Sequence, residues 1–155
     1  MTTDKDSSQL RVMPPVYFLL AVLLIAALHW LLPVARIIDA PLSYVGVIIV
    51  GIGFIVLVAP ARAFEARATT IRPFEQSDAL VTDGFFRFTR NPMYLGMVLI
   101  LVGVAVLLGT LTPFIPIPLF MMLIQQRFIL EEEAMLAERF GEEYCGYKNS
   151  VRRWI

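Results

Sequence analysis

Seven polar or ionisable side chains flank two apolar segments of this sequence. They are Arg90, Asn91 and Tyr94 at the start of one segment, and Arg127, Glu131, Glu132 and Tyr144 around and beyond the end of the other. Ionisable groups are costly to keep near membrane depth, which favours a functional site. A carboxylate there attracts a cationic ligand, and Glu132, Tyr94 or Tyr144 can accept a proton from an acidic one. The pattern predicts a ligand site at a membrane surface.

A purely structural interpretation of the same residues stays open. Arg127 lies four residues before Glu131 and five before Glu132, so an intrahelical ion pair would account for it. The run from Glu131 to Glu133 would by itself be typical of a solvated helix end. Carboxylates near a helix C-terminus are unfavourable for the helix dipole, however, which indicates that at least one of them has a cationic partner.

The composition is that of a membrane protein. Of 155 residues, 58% are hydrophobic and 17% charged, and the mean hydropathy is +0.73, whereas soluble domains are nearer half apolar and a quarter charged. The formal net charge is zero, and no basic run with interleaved aromatic residues indicates a nucleic-acid partner. A single cysteine, Cys145, and a single histidine, His29, exclude a site built from several such ligands, and we expect no metal.

Four apolar segments are long enough to cross a bilayer of about 30 Å. We predict spans over about residues 16–32, 42–59, 93–109 and 113–130, each of 17 to 18 residues. Asn91 and Pro92 mark the start of the third span, because asparagine caps helices and proline is tolerated in a first turn. The fold class is therefore predicted to be all-α integral membrane, a four-span transmembrane helix bundle forming one domain over residues 1–155.

Basic residues predict the orientation of the bundle. With four spans, the N-terminus, the loop 61–91 and the C-terminal tail share one side. Together with Arg127 near that end of the fourth span they hold 12 of the 13 lysines and arginines, and only Arg36 lies opposite. This asymmetry places both termini and the site in the cytoplasm. Beyond the fourth span, apolar residues recur at helical spacing, which predicts a cytoplasmic amphipathic helix over 131–151. This helix could lie on the headgroups or cover the loop, and the two arrangements are compatible.

Glycines seven residues apart mark one face of two spans. Gly46 and Gly53 lie in the second span, and Gly96 and Gly103 in the third. Small residues on one face let helix backbones approach closely, so helix packing is the favoured interpretation. The alternative is that Gly96, one turn inside the membrane, makes room for a ligand.

Two blocks of sequence carry a family resemblance. The first is LVTDGFF (Leu80 to Phe86) followed by RNPMYLG (Arg90 to Gly96), and the second is EEAMLAERFGEEYCGYKNSV (Glu132 to Val151). In this order and spacing they resemble the isoprenylcysteine carboxyl methyltransferase family, which is related to the phospholipid methyltransferases. The resemblance covers the C-terminal half of the chain, residues 77–155.

The resemblance implies a site for S-adenosylmethionine as methyl donor. The residues that it implies in donor binding are Asp78, Ala79, Leu80, Val81 and Phe86 along the pocket, Arg90, Asn91, Pro92, Met93 and Tyr94 around its floor, and Glu132 at the donor's polar end. The family commonly has histidine where Asn91 stands and tyrosine where Phe86 stands. Its substrate-carboxylate arginine has no match in register, and Arg127, one residue away, is the nearest candidate.

The resulting hypothesis is a membrane methyltransferase with Arg127, Glu132 and Tyr94 as its catalytic residues. Its acceptor would be lipophilic or small: an isoprenylcysteine-like carboxylate, a thiol or a phospholipid amine. Methyl transfer from a sulfonium disperses positive charge, so positioning and exclusion of water can supply most of the catalysis. The alternative is a non-enzymatic membrane scaffold or assembly protein that associates through its glycine faces.

Overall fold

The computed structural model describes residues 13–66 and 80–155, and within these ranges the fold is all-helical without a β-strand. Five α-helices form it: α1 (Pro14–Leu31), α2 (Val45–Ala66), α3 (Pro92–Leu108), α4 (Pro116–Ile124) and α5 (Leu130–Ser150). Short 3₁₀ turns lie at Leu42–Tyr44, Gly84–Arg87 and Thr112–Phe114. Three helical stretches of the described part are long and apolar enough to cross a membrane, namely Pro14–Leu31, Leu42–Pro60 and Thr112–Ser150. The apolar helix α3 is shorter, at 17 residues.

Glycines allow α2 and α3 to pack backbone against backbone. A Cβ atom on Gly96 would lie 2.5 Å from the Leu57 nitrogen and 2.7 Å from the Gly53 oxygen, and one on Gly46 would clash with the Gly103 oxygen. Side chains therefore cannot be added on this surface without separating the helices. Of the two interpretations of Gly96, helix packing is the one that the structure supports.

The other helices complete a core around α3. Ile25 of α1, Leu101 and Ala105 of α3, and Ile124 before the π-helical turn are fully buried in one hydrophobic cluster. Large apolar side chains of α1 and α2, by contrast, are exposed on the outer surface. A soluble protein would bury such side chains, so an apolar exterior of this kind fits a lipid environment.

One helix boundary and one helix cap differ from the sequence predictions. The second span was expected to end at Pro60, but α2 continues through that proline to Ala66, since a membrane helix tolerates proline where its surroundings satisfy the freed backbone groups. Asn91 was expected to cap α3 with its side chain. It does stand at the cap position, but its side chain forms no capping hydrogen bond, because its amide is bound elsewhere.

The helix α4, in the segment predicted as the fourth span, continues into α5 through a π-helical turn. The π-turn covers Gln125–Ile129 and begins with the polar residues Gln125, Gln126 and Arg127. A π-turn inserts an extra residue and so changes which side chains of the following helix face inward. Further along, Gly141 adopts a φ of +50° and breaks the regular helix inside α5.

The loops at one end of the bundle bind each other. The backbone nitrogens of Ile37 and Ile38 both donate to the Gly109 oxygen, at 2.8 and 3.1 Å. Gly109 ends α3 with a φ of +71°, and a Cβ there would meet the Ile38 carbonyl. At the opposite end of the bundle, residues 80–91 contact α5.

Candidate functional site

A cavity of about 120 Å³ lies between the segment before α3 and the first half of α5. Its wall is apolar for the most part, with carboxylate, guanidinium and amide groups among the apolar side chains. The lining residues are Leu80, Val81, Phe86, Arg90, Asn91, Glu132, Glu133, Leu136, Tyr144 and Tyr147. The two sequence blocks that the resemblance singled out thus share one cavity.

The loop before α3 is fixed to α5 by a hydrogen bond from a tyrosine hydroxyl. The Tyr147 hydroxyl donates a 2.7 Å hydrogen bond to the Phe86 carbonyl oxygen, and the Tyr144 side chain is fully buried between the two elements. Burial raises the pKa of both phenols to about 12, so both stay protonated at neutral pH. The C-terminal helix therefore covers this loop, which is one of the two arrangements that its amphipathic pattern predicts.

Tyr94 and Glu132 form a polar pair between the starts of α3 and α5. The Tyr94 hydroxyl donates a 2.7 Å hydrogen bond to Oε1 of Glu132. Tyr94 occupies the first turn of α3, where Pro92 starts the helix, and Glu132 the first turn of α5. Tyr94 is buried and also packs against Phe128 in the π-turn, with ring centroids 6.5 Å apart. The carboxylate is thereby held in a defined orientation.

Glu132 has an unusual acidity for a carboxyl group. It lies two residues beyond Leu130, the last residue of the fourth predicted apolar span. Burial raises the pKa of Glu132 to about 7, the hydrogen bond from Tyr94 opposes this rise, and the neighbouring charge of Glu131 adds to it. A carboxyl group with a pKa near neutrality can both accept and release a proton under physiological conditions.

Glu133, the next residue, binds two arginines and not a tyrosine. Its carboxylate binds Arg153 through two hydrogen bonds of 2.8 Å and accepts a third of 3.0 Å from Nη2 of Arg90. Burial opposes ionisation of this carboxyl, but the hydrogen bond from Arg153 and the charges of Arg90, Arg153 and Lys148 together keep its pKa below the ordinary value. The cationic partner that the glutamate run requires is therefore supplied, at Glu133, by the chain's own arginines.

The C-terminal segment, residues 151–155, binds the turn that precedes α3. The Arg90 backbone nitrogen donates to the Arg152 carbonyl at 3.0 Å. The Thr89 hydroxyl and the Asn91 amide nitrogen both donate to the Arg153 carbonyl, at 3.1 and 3.0 Å. The Asn91 side chain therefore binds the C-terminal segment instead of capping its own helix. The C-terminal segment is thus part of the wall that supports the cavity.

The structure brings together most, but not all, of the predicted site residues. Those that line the cavity are Leu80, Val81, Phe86, Arg90, Asn91 and Glu132. Tyr94 reaches the site through its bond to Glu132, whereas Pro92 and Met93, in the same helical turn, are not among the lining residues. Arg127 is exposed in the π-turn and does not line the cavity either. Asp78 and Ala79 lie outside the described residues.

Sequence reasoning missed the roles of Glu133 and Arg153. Glu133 stands beside Glu132 in the same acidic run, and nothing in residue type separates the two. Arg153 follows Arg152 close to the end of the printed sequence, where basic residues are common on membrane proteins. The run of three glutamates was the one signal in the sequence for these roles, because adjacent carboxylates repel each other unless a cation lies nearby.

The residues present suit a ligand that carries separate cationic and hydrogen-bond-accepting groups. Glu132 supplies a carboxylate for a cation, and the apolar side chains of Val81 and Leu136 supply surface for a flat ring. Arg90 is 8% exposed in its side chain, and its Nε is buried without a hydrogen-bond partner in the described part of the chain. A buried unsatisfied donor is costly. This donor set and this orphaned nitrogen fit S-adenosylmethionine.

Similarity to known proteins bears on the same region. The family profile described as phospholipid methyltransferase matches residues 42–143. An uncharacterized protein of Haemophilus influenzae is 40% identical over 63 residues, which are 41% of this chain and 100% of that protein. The protein-S-isoprenylcysteine O-methyltransferase of Schizosaccharomyces pombe is 36% identical over 75 residues, which are 46% of this chain and 30% of that protein.

A solved structure shares the fold. It is that of the eukaryotic intramembrane Ras methyltransferase ICMT, isoprenylcysteine carboxyl methyltransferase, determined without a monobody. It matches with a TM-score of 0.66 and 22% sequence identity, over 91% of this chain and 51% of that chain. The chain thus spans about half the length of that enzyme and less than a third of the Schizosaccharomyces pombe protein.

Proposed function

The chain belongs to the phospholipid methyltransferase family, and we propose that it is a four-span membrane enzyme that transfers a methyl group from S-adenosylmethionine to a lipophilic or small acceptor. The observation that carries this proposal is the hydrogen bond between Tyr94 and Glu132. It joins the two distant sequence blocks beside a single cavity that also contains Arg90.

Glu132 has two tasks in this proposal. When ionised, its carboxylate attracts the positive charge of the donor, and the surrounding apolar side chains strengthen that attraction by lowering the local dielectric constant. When the acceptor is an amine or a thiol, the same carboxylate takes the proton that the acceptor must lose, because its pKa of about 7 suits that transfer. A carboxylate acceptor is already ionised and needs no base.

Tyr94 holds the Glu132 carboxylate in place, and the aromatic residues of α5 exclude water. When bound, the donor supplies a methyl group on a positively charged sulfur, which becomes a neutral thioether as the methyl passes to the acceptor. The charge that disperses in this step requires no strong acid or base from the protein. Tyr144 and Tyr147 cover the loop before α3 and keep the cavity away from bulk solvent.

The membrane geometry of the proposal follows from the helices and from the basic residues. We propose that α1, α2, α3 and the segment from Thr112 to Leu130 cross the bilayer, and that both termini, the cavity and the rest of α5 face the cytoplasm. A soluble donor then enters from the aqueous side while a lipophilic acceptor approaches between helices. Arg127, exposed near the end of the fourth span, is the candidate for guiding an anionic acceptor.

A methyl-transfer screen in lipid nanodiscs tests the proposal. The full chain is incubated with labelled donor and, in parallel, with a prenylcysteine, an ethanolamine phospholipid or a small thiol. We expect the wild-type protein to transfer the label to one class of acceptor, and we expect the Glu132→Gln variant to transfer none. Donor binding is measured separately by calorimetry. Absence of donor binding by the folded wild-type protein would contradict the enzyme proposal.

The scaffold alternative has less support in the described residues. It requires glycine faces that are available to another protein, whereas Gly46, Gly53, Gly96 and Gly103 pack against the neighbouring helix of the same chain. A partner that bound through this surface would have to separate α2 from α3.

A further inference from the structure

Arg153 lies outside the matched family region, yet it contacts the centre of the candidate site. Its guanidinium spans both carboxylate oxygens of Glu133, with Nε 2.8 Å from Oε1 and Nη2 2.8 Å from Oε2. Two parallel bonds of this kind fix the plane of the carboxylate as well as its position. Arg153 itself is 29% exposed, whereas Glu133 is 8% exposed in its side chain.

The orientation of Glu133 in turn fixes Arg90. Nη2 of Arg90 donates to Oε1 of Glu133 at 3.0 Å, and Nη1 donates to the Lys148 carbonyl at 3.1 Å. With both terminal nitrogens bound, the planar guanidinium has no freedom to turn. Among the described residues, the buried Nε of Arg90 has no hydrogen-bond partner, and Arg90 is one of the residues that line the cavity.

We propose that Arg153 is a positioning residue of the site for the methyl donor. Arg153 orients the Glu133 carboxylate, and Glu133 orients Arg90. In this orientation, Nε of Arg90 donates a hydrogen bond to the bound methyl donor. This inference rests on the proposed function. Without Arg153, Oε2 of Glu133 loses its hydrogen bond from Nη2 of Arg153. The carboxylate can then rotate about its terminal side-chain torsion, which has a broad energy minimum. The guanidinium of Arg90 then follows, and the cavity loses a preorganised contact.

The backbone of the same segment adds to this effect. The Arg153 carbonyl binds both Thr89 and Asn91, so its position controls the turn from which Arg90 projects. The adjacent Trp154 donates from Nε1 to Oε1 of Gln125 at 3.1 Å, which ties the segment to the π-turn. The positioning of Arg90 therefore depends on both the side chain and the backbone of Arg153.

Calorimetry of S-adenosylmethionine binding to the full chain in nanodiscs tests the inference. We expect Arg153→Ala to raise the donor Kd about tenfold, as loss of a contact to a buried charged group does, and Arg153→Lys to restore it in part. Arg139→Ala is the matched control, because it removes the same charge from an exposed side chain of α5 that does not line the cavity. We expect its Kd to stay within about twofold of the wild-type value.

A double variant and a donor-free measurement separate positioning from simple stability. In a Glu133→Gln background, Arg153→Ala should change the donor Kd little, because the path through Glu133 is already broken. Without the methyl donor, hydrogen exchange of the Arg90 amide should be faster in Arg153→Ala than in Arg139→Ala. If Arg153→Ala lowers the thermal midpoint but leaves the donor Kd and the exchange of the Arg90 amide at their wild-type values, the inference is overturned. Wild-type protein that binds no donor overturns the proposed function instead, and the exchange comparison still tests the orientation of the turn.

Discussion

Tyr94 and Glu132, 38 residues apart in the sequence, share a hydrogen bond of 2.7 Å between a phenol and a carboxylate. One residue belongs to the start of α3 and the other to the start of α5. Because both are anchored in regular helices, their separation is set by helix packing and not by a mobile loop. This pair joins the two sequence blocks into one site.

Removal of the Tyr94 hydroxyl should shift the pH dependence of donor binding. The hydrogen bond from Tyr94 lowers the pKa of Glu132, so Tyr94→Phe should raise that pKa and weaken donor binding at pH 7 by about threefold to tenfold. Binding should recover at higher pH, which calorimetry at several pH values will show. Tyr17→Phe is the control, since the Tyr17 ring packs on Phe128 in the same core. An identical loss in both variants would contradict a specific role of the hydroxyl.

Donor affinity of the wild-type protein should increase with pH. Glu132 has a raised pKa of about 7, so it is mostly neutral at pH 6 and mostly ionised at pH 8. A cationic donor prefers the ionised form, and its Kd should fall about tenfold over this interval and level off above it. Glu132→Gln should bind weakly with a flat profile. A wild-type profile that is also flat would show that Glu132 does not contact the donor's charge.

The glycine contact between α2 and α3 should tolerate no side chain. Gly96→Ala would place a Cβ atom 2.5 Å from the Leu57 nitrogen, and the forced separation should cost about 1 to 3 kcal/mol. A lower thermal midpoint in detergent will measure it. Gly51→Ala, in the same helix α2 as the contacted Leu57, is the control because nothing lies within 4 Å of its added Cβ. Equal midpoints for the two variants would contradict the packing.

Acid should remove the stability that the Glu133 cluster provides. The pKa of Glu133 in the folded protein is lowered by its arginine partners, so its contribution is complete above the ordinary carboxyl pKa of about 4.3. The contribution is lost as the pH falls through the lowered folded value. The difference in thermal midpoint between wild type and Glu133→Gln should be constant from pH 7 to about 5 and shrink below that.

The exposed Glu138 provides the comparison for this measurement. Glu138→Gln should leave the midpoint close to the wild-type value across the range, because an exposed carboxylate contributes little. A difference that persists unchanged at the lowest pH would show that Glu133 stabilises the protein by packing and not by its charge.

Much of the fold follows from local sequence. Apolar runs of about 18 residues specify membrane helices, and Asn91 with Pro92 specifies the start of α3. Spacing alone also indicated close packing at Gly96 and Gly53. Pro60 was a weaker guide, because a helix inside a packed bundle can continue past a proline whose freed carbonyl is satisfied by its surroundings.

The assignment of roles within the site required the tertiary structure. Consecutive residues of a helix point about 100° apart, so Glu132 turns to Tyr94 while Glu133 turns to the arginines, and the π-turn before them changes that direction by an amount that the sequence does not specify. The bonds from Thr89 and Asn91 end on the Arg153 carbonyl, a group that every residue has. The sequence by itself determined which helices form and which residues could do chemistry, because those depend on side-chain type. Only the packing of the chain decided which neighbour each of those side chains meets.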